Sequence, residues 1–164
     1  MRRAKGYRSG TKKLFAIAGT VILLFGVFIF WWQAQAPRET AEKNAVSFAR
    51  KHADLKTETD FYLFNREKTY FTVAGTNSKK QKIYVIIAKK GGATKILQQK
   101  KGITEKDAIT LVKKEKPKKI LKASLGLWSN KPVWEVTYLN KSGNLCYILY
   151  AYKNGDMVKS IQNI

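Results

Sequence analysis

The sequence predicts an α+β protein: a single N-terminal transmembrane helix, then two α-β-β-β-β units, each a helix on an antiparallel sheet. Three observations carry this. Residues 14–32 (LFAIAGTVILLFGVFIFWW) contain no charge. After Pro37 the hydrophobic period changes from helical to alternating, and does so a second time after Ile103. The second stretch also repeats the first at a fixed offset of 64 residues, with no gap.

As a helix, the apolar run would extend roughly 28 Å, close to the thickness of a bilayer core. Arg2, Arg3, Lys5, Arg8, Lys12 and Lys13 precede it without an acid, and Trp31 and Trp32 lie where an interfacial aromatic belt belongs. The positive-inside rule then keeps the N-terminus in the cytoplasm and places the rest outside the membrane. The competing reading is a cleaved signal peptide, with Ala34-Gln35-Ala36 as its cleavage site. Against it stand the length of the apolar run and Pro37, which would sit at the first residue of the product.

Residues 38–52 read as a helix capped at Thr40, with Ala41, Ala45, Phe48 and His52 as its apolar stripe. Alternating β-formers follow in 57–64 and 69–74, a hairpin, then in 82–88 and, after Gly91-Gly92, in 93–98. The order then restarts. Thr104 caps a helix whose stripe is Ala108, Leu111 and Val112 and which Pro117 stops. Strands follow at 119–128, 133–139, 145–152 and 157–161, separated by Ser129-Asn130, Ser142-Gly143-Asn144 and Asn154-Gly155-Asp156. At the 64-residue offset Thr40 meets Thr104, Phe64 meets Trp128, Tyr70 meets Trp134, Ile86 meets Tyr150, Gly91 meets Gly155 and Leu97 meets Ile161. The resulting divisions are a basic segment 1–13, the membrane helix 14–32, a linker 33–37, and units at 38–100 and 101–164. The connector 99–102 is too short to let two marginal cores drift apart, so they should act as one body, or nearly so.

The formal charge is +21 at pH 7. Such a balance suggests nucleic acid, but the topology argues against it, and beyond the apolar run only Arg38, Arg50 and Arg66 carry the fork that reads guanine. Scattered lysine reads as a solvated surface with some attraction to anionic lipid headgroups or wall polymers. Cys146 is the sole cysteine, which excludes an internal disulfide and a cysteine-built metal site, and its strand context makes it core filler.

No convergent acid, base, nucleophile or metal ligands can be assembled, so the sequence points to no enzyme and no cofactor. His52 is the one histidine, Glu105 and Asp107 suit the first turn of a helix, and Gly91-Gly92 lacks a phosphate-loop ending. The aromatics say more. Alternation places Cys146, Ile148, Tyr150 and Tyr152 on one face and Leu145, Tyr147, Leu149 and Ala151 on the other, so one face packs under the helix and the other is exposed or lies between units. The candidate partner-binding residues are Trp128, Trp134, Tyr138, Tyr147, Tyr150 and Tyr152, because the second unit is the richer in the residue types that anchor interfaces.

Trp134-Glu135-Val136-Thr137-Tyr138, followed by Gly143, Tyr147, Tyr150 and Gly155, resembles PepSY-like domains. The closer resemblance, over the whole chain, is to the TseB (YpmB) family of Gram-positive bacteria, with a basic N-terminus, one anchor and two cystatin-like units. Tyr70-Phe71-Thr72-Val73-Ala74-Gly75-Thr76 and Gly102-Ile103-Thr104 are similar to that family's segments. The first unit departs from the PepSY pattern, with Tyr70-Phe71-Thr72 in place of Trp134-Glu135-Val136 and Lys79 in place of Gly143. The resemblance implies a non-enzymatic regulator of cell-wall elongation that contacts a penicillin-binding protein outside the membrane. Two other classes fit the architecture: a tethered or secreted inhibitor of an extracellular hydrolase, and a polyanion-binding envelope tether.

Overall fold

The structure is a computed structural model that describes residues 8–162, with side chains described for 17–27 and 38–162. In chain order it contains α1 (Arg8–His52), β1 (Leu55–Asn65), β2 (Thr69–Asn77), β3 (Lys82–Ala88), β4 (Thr94–Gln98), a 3₁₀ turn (Gln99–Lys101), α2 (Glu105–Lys113), β5 (Lys119–Trp128), β6 (Lys131–Leu139), β7 (Leu145–Ala151) and β8 (Met157–Ile161). Met1–Thr40 and Ala41–Ile164 form two compact units. In the first, Ile17, Val21, Ile22, Leu23, Leu24, Phe25 and Val27 are exposed. Among the described residues no helix is long and apolar enough to cross a membrane. The predicted span 14–32 reaches beyond 17–27 on both sides, and those flanks lie outside the described side chains, as does the basic segment 1–13, of which 1–7 lie outside the described residues altogether.

The second unit holds both sheets, each an antiparallel meander in the order β1-β2-β3-β4 and β5-β6-β7-β8. The repeat is therefore one of topology as well as of sequence. Gly91 and Gly155, paired by the 64-residue offset, both turn at positive φ, +82° and +79°, a conformation that costs glycine nothing. Each sheet carries a helix. Ala45 and Ala49 of α1, and Ala53 just after its end, lie against Val73, Ile83, Val85 and Ile87, and Ala108 and Val112 of α2 are buried in the second repeat.

Two expectations about α1 need correction. The helix does not begin at a Thr40 cap but continues through 33–37, where a linker was predicted. Proline costs one backbone bond and some strain in a helix interior, but the flanking residues Ala34, Gln35, Ala36, Arg38 and Glu39 are mostly good helix formers. The buried stripe is Ala45, Ala49 and Ala53, whereas His52 is exposed and Ala41 and Phe48 are half-buried. Small side chains let the helix lie close over the β-branched residues beneath, while Val46 and Phe48 pack against the same cluster only partly buried.

Candidate functional site

The chemistry of this body is concentrated where the two repeats meet. The outer strand of the second sheet, β5, lies against β1, β2 and β3 of the first. Glycine makes this approach possible: a Cβ on Gly126 would fall 2.2 Å from Cγ of Phe64. An edge strand leaves carbonyls without ladder partners, and one of them is met here. The buried Thr72 hydroxyl donates to the carbonyl of Leu125 at 2.7 Å.

On the α2 side of the seam, four aromatic rings from both repeats meet edge to face. Trp134 lies 5.2 Å from Tyr62 and 5.7 Å from Tyr84, and Tyr84 lies 6.1 Å from Tyr152. Three of the polar tips have acceptors across or beside the seam. Tyr62 donates to Glu105 at 2.8 Å, Trp134 Nε1 to the Ile103 carbonyl at 3.0 Å, and Tyr152 to the Gln98 carbonyl at 2.6 Å. Burial pushes the Tyr62 phenol well above its ordinary value, and the Glu105 carboxylate adds to the shift.

On the opposite side, Arg66 reaches from the β1–β2 turn to pair with Glu135, and its guanidinium carbon lies 3.8 Å above the Tyr147 ring. Burial opposes the charge on Arg66, but the hydrogen bond and charge of Glu135 raise its pKa above the ordinary arginine value. Glu67 accepts from the Ser129 backbone N–H at 3.1 Å. Beyond these contacts the outer face of the second sheet carries Trp128, with the Lys159 ammonium 4.4 Å from its ring centroid.

The six aromatics expected to face a partner therefore divide. Trp134, Tyr138, Tyr150 and Tyr152 are buried, at 0%, 2%, 4% and 5% exposure, and offer a partner no surface. For these four the expected partner-facing position is corrected to a place in the core. The helix covers one side of the second sheet and the first repeat closes over its edge, so most of the ring area is spent inside. Trp128 and Tyr147 are half-buried and keep an accessible edge. The sequence reading missed Arg66, Glu135 and Thr72. For Arg66 a signal existed: in a body whose cations are nearly all lysine, both Arg50 and Arg66 are paired with glutamates. Cys146 is buried in β7, and among the described residues no group of three or more His, Cys, Asp or Glu could hold a metal.

Comparison with known proteins agrees with this two-repeat plan. The probable cell wall elongation regulator TseB of Bacillus subtilis (strain 168) is 30% identical over 153 residues, covering 90% of this chain and 92% of the relative. The chain belongs to the TseB family. A family model described as the cell wall elongation regulator TseB-like domain matches residues 44–88, from the end of α1 through β3. The YpmB protein from Bacillus subtilis superposes with a TM-score of 0.65 at 29% identity, covering 73% of this chain and 95% of that one. TseB-family membership thus spans both repeats.

Proposed function

We propose that this TseB-family chain is a non-enzymatic, membrane-anchored regulator of cell-wall elongation that acts outside the membrane by binding a transpeptidase-type penicillin-binding protein. The observation that carries the reading is the similarity to a probable cell wall elongation regulator over nine-tenths of the chain. Support for the anchor comes from the uncharged run 14–32 behind six cations, and from seven exposed apolar side chains between Ile17 and Val27, the display expected of a helix that faces lipid. The partner surface is placed on the outer face of the second sheet around Trp128 and Tyr147, the two candidate aromatics with accessible edges.

Photo-crosslinking side chains introduced at Trp128 and Tyr147 in growing cells test the partner. Recovery of a penicillin-binding protein from these positions, and not from the exposed Lys113, is the expected result; its absence from both would remove the proposed surface. The orientation has its own test. A membrane-impermeant maleimide should reach the buried Cys146 in intact cells once mild denaturation opens the sheet, and labelling confined to lysed cells would reverse the topology.

A further inference from the structure

Two basic clefts open at opposite ends of the first sheet, and they differ in what accompanies lysine. One, of about 430 Å³, lies between the β1–β2 and β3–β4 turns and includes Glu67 and Ala88 beside Lys68, Lys89 and Lys90. The other, of about 490 Å³, lies where the β2–β3 turn meets the connector between the repeats. It is lined by Lys80, Lys82 and Lys100, by Gln81, Gln98 and Gln99 and by Thr104, whose hydroxyl bonds Asp107, with no carboxylate in the lining itself.

The second cleft is basic because three lysines and no carboxylate line it; the acids nearest in sequence keep their charge and accept hydrogen bonds from neighbouring groups. Glu105 accepts from Tyr62, Asp107 from the N–H and hydroxyl of Thr104, and Asp54 from the N–H and hydroxyl of Ser78. Lys80, Lys82 and Lys100 enter none of the ion pairs among the described residues. The walls are also held in place. Gln99 donates to the Ile83 carbonyl at 3.1 Å, Tyr152 to the Gln98 carbonyl, and the β2–β3 turn is closed by Asn77 and Gln81. A binding site with fixed walls loses less entropy when it is filled.

The lining selects a ligand. Lysine offers point charges to phosphate without demanding the planar geometry that arginine reads, carboxamides bond hydroxyl groups, and no ring is present on which a base could stack. No apolar side chain lines it that would take an acyl chain. We propose that this cleft binds a glycerol phosphodiester, the chemistry shared by a poly(glycerol phosphate) polymer and a phosphatidylglycerol headgroup. The assignment does not depend on which protein the outer face of the second sheet contacts.

The test uses the full chain in nonionic micelles, titrated calorimetrically with poly(glycerol phosphate), and the full chain in nanodiscs of phosphatidylglycerol or phosphatidylcholine, read by hydrogen exchange at residues 78–82 and 98–100. K80Q/K82Q/K100Q should weaken polymer binding at least about tenfold, or abolish the lipid-specific protection, while K68Q/K89Q/K90Q, with the same change of charge, should cost less than about threefold. K82Q/K100Q leaves the left-handed turn residue Lys80 (φ +58°) in place and should act in the same direction, which guards against a folding artefact. Cleft-dependent binding in either arm supports the site and identifies its source as polymer or lipid. Equal losses in the two triple variants, or none in either arm, would overturn it in favour of unlocalised surface charge.

Discussion

A glutamate side chain only 3% exposed, as Glu135 is, survives in a sheet core because Arg66 arrives from the other repeat to neutralise it. Removing one member of such a pair leaves the other charged and desolvated, so Arg66→Met should destabilise the body by about 3 kcal/mol, and adding Glu135→Leu should restore most of the loss. Chemical denaturation of the single and double variants measures this; equal stability of Arg66→Met and the native chain would show that the pair holds nothing. Thr137, on the same face of β6 as Glu135, makes the opposite case. Its hydroxyl is the one buried side-chain polar atom without a partner among the described residues. Thr137→Val keeps the shape and removes the unsatisfied group, and should raise stability by about 1 kcal/mol in the same assay. Neither residue could be read correctly from the sequence. Alternation assigns Glu135 and Thr137 to a face, but only the approach of β1 and its turn decides whether that face is wet.

At the scale of elements the sequence was far more legible. The third, fifth and eighth strands were predicted with the bounds they have, because turn residues flank short runs of β-formers. The start of α2 was equally plain: Thr104 and Asp107 form a reciprocal capping box. The Thr104 backbone N–H, and then its hydroxyl, hold the Asp107 carboxyl below its ordinary 3.8. A lowered carboxyl stabilises the fold above the unfolded value and ceases to do so as pH falls through the folded one. Thr104→Val should therefore lower the melting temperature most near neutrality, and the gap from the native chain should narrow below pH 3.8. A gap that stays constant into acid would mean that the carboxylate contributes nothing. What the sequence did not settle was the register of α1, since alanines at 45, 49 and 53 compete with larger apolar residues one position away, and the close approach of helix to sheet decides between them.

For the whole molecule, the repeat was visible in the sequence, but the way its copies share a core was not, because the same Tyr and Trp residues serve a seam or a partner surface equally well. Tyr62, Tyr84 and Tyr150 lie in that shared core, and burial raises all three phenols, Tyr150 to about 12. A raised phenol stabilises the fold fully below pH 10 and progressively less above it. Alkaline titration should show these tyrosines ionising late and together with loss of near-ultraviolet dichroism; ionisation near pH 10 in a folded chain would contradict their burial. Residues 101–164 alone should lack a cooperative thermal transition, since they would expose the β5 edge and one side of Trp134 to water, and a sharp melt of that fragment would refute the dependence. The hydroxyl of Thr72 on the Leu125 carbonyl carries one more consequence. At that carbonyl the β5 edge is engaged from within and closed to a neighbour's strand. The remaining outer strands are guarded too: β4 and β8 are five residues each and carry Lys95 and Lys159, while β1 is broken by two register shifts among Lys56, Glu58 and Asp60. Copies of this body brought side by side thus find, among the described strands, little template for growing into a fibril.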